Sequence, residues 1–311
     1  MRNVLVVGSS NTDMVLRVPR IPKPGETVLG GAFVMAAGGK GANQAVAAAR
    51  AGANVVFVAR VGEDVFGEQA LANFRADGID TRFVLRTVGA PSGVALINVD
   101  GRGENSISVA SGANAVLSAA DIEGAAPAFS SADVVLLQLE SPLEAVEAAV
   151  RRAGERGVPV ILNPAPARPL ADDLLRRVAV LTPNEHEAEL LAGVPVRDEE
   201  GARQAAARLR ARGPAAVVVT LGERGAYASS REFEGLVPAF KVVPVDTTAA
   251  GDVFIGALAA AVAEGAPLAE ALRFASAAAA ISVTRPGAQP SAPARAEIEA
   301  FLGGRPPSAG R

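Results

Sequence analysis

Val134-Val135-Leu136-Leu137-Gln138-Leu139-Glu140-Ser141-Pro142, read together with residues 143–163, decides the fold class. The run Val134–Leu139 is short and apolar, and it does not alternate with polar residues. Leu143–Arg156 carries a helical pattern, and Val158–Leu162 is a second Val/Ile/Leu run that ends at Asn163. A strand without alternation is buried on both faces. Two such strands joined by a helix form the crossover unit of a parallel sheet covered on both sides. The same alternation runs through the chain. Further apolar runs are Val4–Val7, Val55–Val58, Val178–Leu181 and Ala216–Thr220, and helical patterns span Ala42–Ala51, Phe66–Ala76, Glu187–Leu191 and Glu199–Arg212. Three more helical stretches follow, Asp252–Glu264, Leu268–Val283 and Ala292–Leu302. The expected fold is α/β, a three-layer α/β/α Rossmann-like body around a mostly parallel central sheet.

Two segments break the rhythm. Met14–Met35 holds Val15-Leu16-Arg17-Val18, a Pro-Gly turn and then Thr27-Val28-Leu29. Ser92–Ala110 reads as a hairpin turning at Asp100-Gly101. Both alternate apolar with polar residues, as half-exposed strands do, and together they predict a small β-sheet serving as a lid or dimer surface. The body is then residues 1–13, 36–91 and 111–303, the lid is 14–35 and 92–110, and the Pro/Gly/Ser-rich residues 304–311 are expected to be a flexible tail.

Composition narrows the chemistry. The chain has 311 residues and a formal net charge of −3, which invites neither nucleic acid nor an anionic membrane. It has no cysteine and one histidine, His186, so thiolate chemistry, disulfides and multi-histidine metal sites are unfavoured. No leader-like segment precedes the first strand and no apolar run reaches membrane-spanning length. The expectation is a soluble cytoplasmic protein. Gly8 is followed by Ser-Ser-Asn, not by the spacing of a dinucleotide fingerprint.

In open parallel sheets, ligands bind beyond the carboxyl ends of the strands. There the sequence places Gly8 to Asp13, Glu140, Asn163, Thr182-Pro183-Asn184 and Thr220-Leu221-Gly222. Turn chemistry accounts for any one of them; a polar crevice accounts better for the set.

The segment Asp246-Thr247-Thr248-Ala249-Ala250-Gly251-Asp252 opens one of the late helices. Small residues admit close backbone approach, and a helix N-terminus offers free N–H groups to an anion. A carboxylate beside such a site makes sense if it removes a proton from the group that attacks the anion, which is the layout of phosphoryl transfer. Asp252 is the candidate base, and the amides of Ala249, Ala250 and Gly251 are the candidate anion hole. On residues alone, Asp252 could equally cap its helix, and Asp246 could be a loop residue in an Asx-type turn. A second Gly-rich helix start, Gly38-Gly39-Lys40-Gly41-Ala42-Asn43, lacks Walker spacing. With Asn11, Asp13 and Glu140 it makes a site richer in acceptors and amides than an anion would favour, and better suited to a neutral polyol.

Taken together these stretches resemble the ribokinase branch of the PfkB family of sugar kinases. The resemblance covers nearly the whole chain. It rests on Gly38–Asn43 with Val61–Gly67, on Asp246–Asp252 with Gly256-Ala257, and on Asn163–Ala167, Thr182–Glu185 and Thr284–Ser291. It implies phosphorylation of D-ribose at O5 by ATP, with Asp252 as base. It implies sugar contacts from Asn11, Thr12, Asp13, Gly39, Lys40, Gly41, Ala42, Asn43 and Glu140. Asn184 and Glu187 would organise Mg²⁺ and the phosphates through water. Thr220, Leu221, Gly222, Glu223, Arg224, Gly225 and Gly251 would meet the nucleotide, with Ser276 near the adenine where the family more often has asparagine. The resemblance also implies a K⁺ activator held by Asp246, Thr248, Ser282, Arg285, Gly287 and Ser291, mostly through backbone oxygens, and a homodimer paired through the lids. His186 is expected on a solvent-facing helix surface. The rival readings are the same chemistry on deoxyribose, a nucleoside or another sugar, and a sugar-binding regulator without catalysis. Phe33 is the only aromatic residue in Met14–Met35 and Ser92–Ala110 has none, which favours a bare sugar.

Overall fold

A computed structural model describes residues 2–304. The residues expected to form a flexible tail lie outside the described ones, apart from Gly304. The strands are β1 (Asn3–Val7), β2 (Asn11–Arg17), β3 (Phe33–Gly38), β4 (Asn54–Gly62), β5 (Asp80–Thr87), β6 (Gly93–Val99), β7 (Asn105–Ala110), β8 (Val134–Leu137), β9 (Val160–Leu162), β10 (Val180–Leu181), β11 (Ala216–Thr220), β12 (Ala226–Ser229) and β13 (Glu234–Val237). The helices are α1 (Lys40–Arg50), α2 (Val65–Ala76), α3 (Ala119–Gly124), α4 (Ala126–Ser131), α5 (Leu143–Glu155), α6 (Asp172–Leu175), α7 (Glu185–Ala192), α8 (Glu199–Ala211), α9 (Ala250–Ala263), α10 (Leu268–Ser282) and α11 (Arg295–Leu302).

The fold is the expected α/β architecture. A nine-stranded sheet runs in the order β13-β12-β11-β10-β9-β8-β1-β4-β5. It is parallel from β11 to β5, and β12 and β13 are antiparallel at one edge. From β1 the chain winds outward to β4 and β5, then returns to lay β8, β9, β10 and β11 on the other side. The winding direction therefore reverses between β1 and β8, which is where such sheets open a ligand crevice. Within β1, Val4 and Val6 enter one core with α1, α9 and α10, while Leu5 and Val7 enter the other with α5, α7 and α8. Burial on both faces is the reason the sequence shows no alternation there.

A separate four-stranded sheet has the order β3-β2-β6-β7. The β2–β6 pair is parallel and the others antiparallel. Thr27-Val28-Leu29 is not its return strand. Those residues lie in an irregular connection that ends at Gly30 and Gly31, both at positive φ, and Phe33–Gly38 pairs with β2 instead. The β6–β7 connection is also longer than a two-residue turn: Asp100 N–H donates to the Glu104 carbonyl. Both faces of this sheet carry exposed apolar side chains, Phe33, Met35 and Leu96 on one and Val34, Ile107 and Val109 on the other. Among the described residues no helix is long and apolar enough to cross a membrane.

Candidate active site

At the reversal point, α1 is pressed end-on against the turn that follows β1. Ser9 ties the two together. Its carbonyl accepts Ala42 N–H at 2.8 Å, its Oγ accepts Gly41 N–H at 3.2 Å, and the same hydroxyl donates to Glu140 Oε2 at 2.5 Å. Position 41 has to be glycine, because a Cβ there would lie 2.4 Å from Ser9 N and 2.7 Å from Gly8 C. Gly41 and Ala42 were expected among the sugar contacts, but their N–H groups are already taken by Ser9. Glu140 also accepts Lys40 N–H at 2.9 Å, so its carboxylate sits on the positive end of α1. Asn11, at the start of β2, accepts at Oδ1 from Asn114 Nδ2 at 2.8 Å, which leaves its own amide N–H₂ to donate. Thr12 is half-buried one residue on, paired with Ala37 and Val94, and Gly39 is the N-cap of α1.

Four acids, Asp13, Glu140, Asp252 and Glu187, act on the single cation Lys40. Burial pulls the Lys40 ammonium down, but these acids together raise it above its usual value. Asp13 is pushed up to about 6, first by burial and then by the charges of Glu140 and Asp252, with Lys40 opposing.

Asp252 is the third residue of α9, and the N-cap of that helix is Ala249. Its side chain does not cap the helix. It turns sideways into α1, where Oδ2 accepts from Asn43 Nδ2 at 2.9 Å and Oδ1 accepts from Gln44 Nε2 at 2.9 Å. The carboxylate is 8% exposed. Burial raises its pKa, opposed by Lys40 and by these two amides.

Ahead of it, Ala249 takes a left-handed φ of 57°, alone among the described non-glycine residues. That conformation is strained for a residue with a Cβ, and here it turns the peptide units of Ala249–Asp252 toward a cavity. Ala250 N–H donates to the Thr247 carbonyl at 3.2 Å, so of the three expected anion-hole amides it is the one already engaged. The cavity, 220 Å³, is lined by Ala249, Ala250, Gly251 and Asp252 on one side, by Asn184, Glu187 and Thr220 on the other, and by Lys40. Asp252 thus stands between this cavity and the acid cluster around Asp13.

Asn184 and Glu187 form a reciprocal cap on α7. Glu187 N–H donates to Asn184 Oδ1 at 2.8 Å, Asn184 N–H donates to Glu187 Oε2 at 2.9 Å, and Asn184 Nδ2 donates to Glu187 Oε1 at 2.9 Å. Both Glu187 oxygens are therefore engaged, which suits an ion held through water better than one bound directly. Burial raises Glu187 despite the Asn184 and Lys40 contributions. His186 between them is exposed.

Of the other residues expected at the nucleotide, most do not line this cavity. Thr220 lines it, but Leu221 is packed in the apolar core, Glu223 is exposed, and Arg224 pairs with Glu185 and donates to the Arg197 carbonyl at 2.7 Å. Gly222 and Gly225 belong to the turn around Arg224, and Ser276 is buried within α10.

Asp246 does make an Asx-type turn, accepting Thr248 N–H at 2.9 Å, and it also accepts Gly287 N–H at 2.8 Å. Burial alone would raise its pKa; these bonds outweigh it and hold the carboxyl below its ordinary value. Ser282 Oγ donates to the Ala279 carbonyl at 2.9 Å, Ser291 Oγ donates to the Ala288 carbonyl at 2.7 Å, and the Arg285 guanidinium pairs with Glu297. Arg285 could therefore offer a cation only its carbonyl. One ionised carboxylate beside hydroxyls and carbonyls is a donor set that fits a large monovalent ion. The described residues contain no group of three acids or histidines for a divalent one.

Sequence reasoning assigned no site role to Gln44, Gln138 or Asn114, and placed Asn163 only among the polar residues of the crevice. Gln44 stands directly after Asn43 in the Gly-rich helix start, and Asn163 follows an apolar run, so both carried a positional signal.

Residues 1–295 match the pfkB family carbohydrate kinase model. A ribokinase of Haemophilus influenzae is 46% identical over 303 residues, 97% of this chain and 99% of that protein. A deoxyribokinase of Salmonella typhi is 39% identical over 301 residues, covering 96% and 98%. Among solved structures, Arabidopsis thaliana ribokinase complexed with ribose and ATP superposes with a TM-score of 0.89 at 35% identity, covering 97% of this chain and 98% of that one. The chain belongs to the pfkB family of carbohydrate kinases.

Proposed function

We propose that this chain phosphorylates D-ribose at O5 with ATP, giving D-ribose 5-phosphate and ADP. The observation that carries the chemistry is the buried Asp252 carboxylate, held by Asn43 and Gln44 at the rim of a cavity walled by Ala249–Gly251. The ribose assignment is supported by the ribokinase relatives, one of them a structure with ribose and ATP.

Asn11, Asp13, Lys40, Asn43 and Glu140 bind the sugar hydroxyls, with Asp13 and Glu140 accepting and the amides donating. Asp252 accepts the O5 proton as O5 attacks the γ-phosphorus. The new O5–P bond forms while the bond to the β-phosphate oxygen breaks, and ADP leaves. The N–H groups of Ala249 and Gly251 face the charge on the transferring group, and Thr220 meets the phosphates. Asn184 and Glu187 would hold Mg²⁺ through water; when bound, that ion neutralises phosphate charge. Asp246, with the hydroxyls or carbonyls of Thr248, Ser282, Arg285, Gly287 and Ser291, would hold K⁺. Its place would be beside the loop that ends in the anion hole. Exposed apolar side chains of the small sheet pair two copies into a homodimer.

The nearest rival acceptor is deoxyribose, because a deoxyribokinase is also closely similar. A coupled kinase assay across ribose, deoxyribose, fructose and adenosine, run in K⁺ and again in tetramethylammonium, decides both points. We expect ribose to give the highest kcat/KM and K⁺ to raise it. A higher kcat/KM for deoxyribose, or equal rates in the two cations, would overturn the corresponding assignment.

Asp13 adds a pH signature. Its carboxyl is ordinarily ionised well below neutrality but here titrates at about 6, and only the ionised form accepts two sugar hydroxyls. Ribose affinity is therefore full above that value and declines beneath it. Binding should be about tenfold weaker at pH 5 than at pH 7. Calorimetry without nucleotide reads this directly. Asp13→Asn should bind more weakly at pH 7 and lose most of the slope; an unchanged slope would remove Asp13 from the sugar site.

A further inference from the structure

Asp252 must present a lone pair to the sugar and also keep its orientation, and the structure places an unassigned side chain against it. Gln44 is fully buried, at 0% exposure, on the face of α1 that meets α9. Its Nε2 donates to Asp252 Oδ1 at 2.9 Å and to Asn163 Oδ1 at 3.1 Å, and its Oε1 accepts from Gln138 Nε2 at 2.6 Å. Asn163 Nδ2 in turn donates to the Thr182 carbonyl at 2.9 Å.

The direction of every bond in this chain is forced. A backbone carbonyl only accepts, so Asn163 must turn its N–H₂ to Thr182 and its oxygen to Gln44. Gln44 must then give both of its amide protons, one to Asn163 and one to Asp252, because a carboxylate also only accepts. Its oxygen is left for Gln138. The Gln138 Oε1 at the end of the chain is buried with no donor, an unmet acceptor tolerated at the far end while both amide protons of Gln44 are used. A glutamine flipped by 180° would set its oxygen against the carboxylate and against Asn163 Oδ1, so the alternative orientation is excluded by both neighbours at once.

We infer that Gln44 is a positioning residue for the transfer reaction: locked by Asn163 and Gln138, it fixes the Oδ1 edge of Asp252, while Asn43 holds Oδ2, so that one lone pair of the carboxylate is aimed at the substrate hydroxyl. This inference rests on the reading of Asp252 as the base. It predicts a separation of effects. Gln44 lies behind the carboxylate and does not line the cavity, so its loss should act on the chemical step and not on ground-state affinity.

Gln44→Met keeps the length and apolar bulk of the side chain and removes the donor. We expect kcat to fall about 10- to 100-fold, with KM for ribose and for ATP within about threefold of the parent. Losing a donor to the ionised carboxylate should also move the acid limb of the kcat–pH profile upward. The charged groups that face Asp252 are Lys40 from α1, Glu140 after β8, Glu187 from α7 and Asp13 from β2, and the substitution leaves all four in place. Gln138→Met, which releases Gln44 Oε1 without touching Asp252 or the cavity lining, should give a smaller kcat loss and a smaller limb shift of the same sign. It also serves if Gln44→Met fails to fold. In an Asp252→Asn background, Gln44→Met should cause no further loss of kcat.

Wild-type kcat with an unmoved acid limb in folded Gln44→Met, or full additivity with Asp252→Asn, would overturn the inference while leaving the base in place. Wild-type turnover in Asp252→Asn alone would instead overturn the base.

Discussion

Asp252→Asn should leave a folded protein that still binds ribose but turns over about 10²- to 10⁴-fold more slowly, the usual contribution of a general base. The substitution preserves shape and removes only the charge and the proton acceptor. It also relieves a burial penalty, since the carboxylate is held above its ordinary pKa by desolvation. Thermal stability should therefore not fall greatly. One adjustment is required, because Asp252 accepts from Asn43 and from Gln44 and an asparagine can accept from only one of them while donating to the other. Gln44 is locked, so Asn43 is the side chain that must rotate, at the expense of its 3.2 Å bond from Gln289 Nε2. Sugar affinity should then weaken a few-fold through Asn43 alone; steady-state kinetics with ribose calorimetry separates that from the loss of turnover. If the variant turned over at near wild-type rate, proton removal by Asp252 would have no part in the reaction, and the cavity would need another base.

Much of this arrangement was legible in the sequence because parallel sheets leave two plain signals. The doubly buried strands from Val4 to Thr220 appear as unbroken apolar runs, and the polar residues at their carboxyl ends mark one edge. What the sequence obscured follows from the same physics. β5 carries Arg82 and Arg86 in a half-exposed edge position, so no apolar run announced it. β12 and β13 have four residues each, too few for a period to be read. Phe33–Gly38 was not legible as the return strand because it runs into the Gly-rich start of α1, whereas Thr27-Val28-Leu29 follows a Pro-Gly turn but ends at two glycines that turn the chain away. At the site, the sequence pointed to groups that donate or accept at strand ends. It had no means of showing that Gly41 and Ala42 spend their amides on Ser9, or that Gln44, inside a helix and apparently facing a core, ends on a carboxylate 208 residues away.

Gly256→Ala should be a damaging substitution for a single added methyl group, and it tests whether helix packing sets the base. Gly256 lies one turn beyond Asp252 on the same face of α9. A Cβ there would sit 2.5 Å from the Gln44 carbonyl oxygen, 2.6 Å from Ala47 Cβ and 2.9 Å from Ala48 N. Two of those three neighbours are backbone atoms of α1, which cannot rotate out of the way, so α1 and α9 must part. Overpacking of this kind costs about 1–3 kcal/mol, and the melting temperature should fall by roughly 2–5 °C for a protein of this size. Of a total stability of about 5–15 kcal/mol, that leaves nearly every molecule folded. The same displacement acts on Asn43 and Gln44, which grip Asp252 at 2.9 Å each from the helix being pushed away. A base shifted by a fraction of an ångström loses its alignment with the attacking hydroxyl, and misplacement near 1 Å lowers rates about 10²-fold. Turnover should therefore fall far more than the folded fraction does, with ATP affinity nearly unchanged, as read by kcat and by nucleotide titration on protein shown folded by circular dichroism. A lowered melting temperature with wild-type kcat would mean that the contact between α1 and α9 stabilises the fold without placing Asp252.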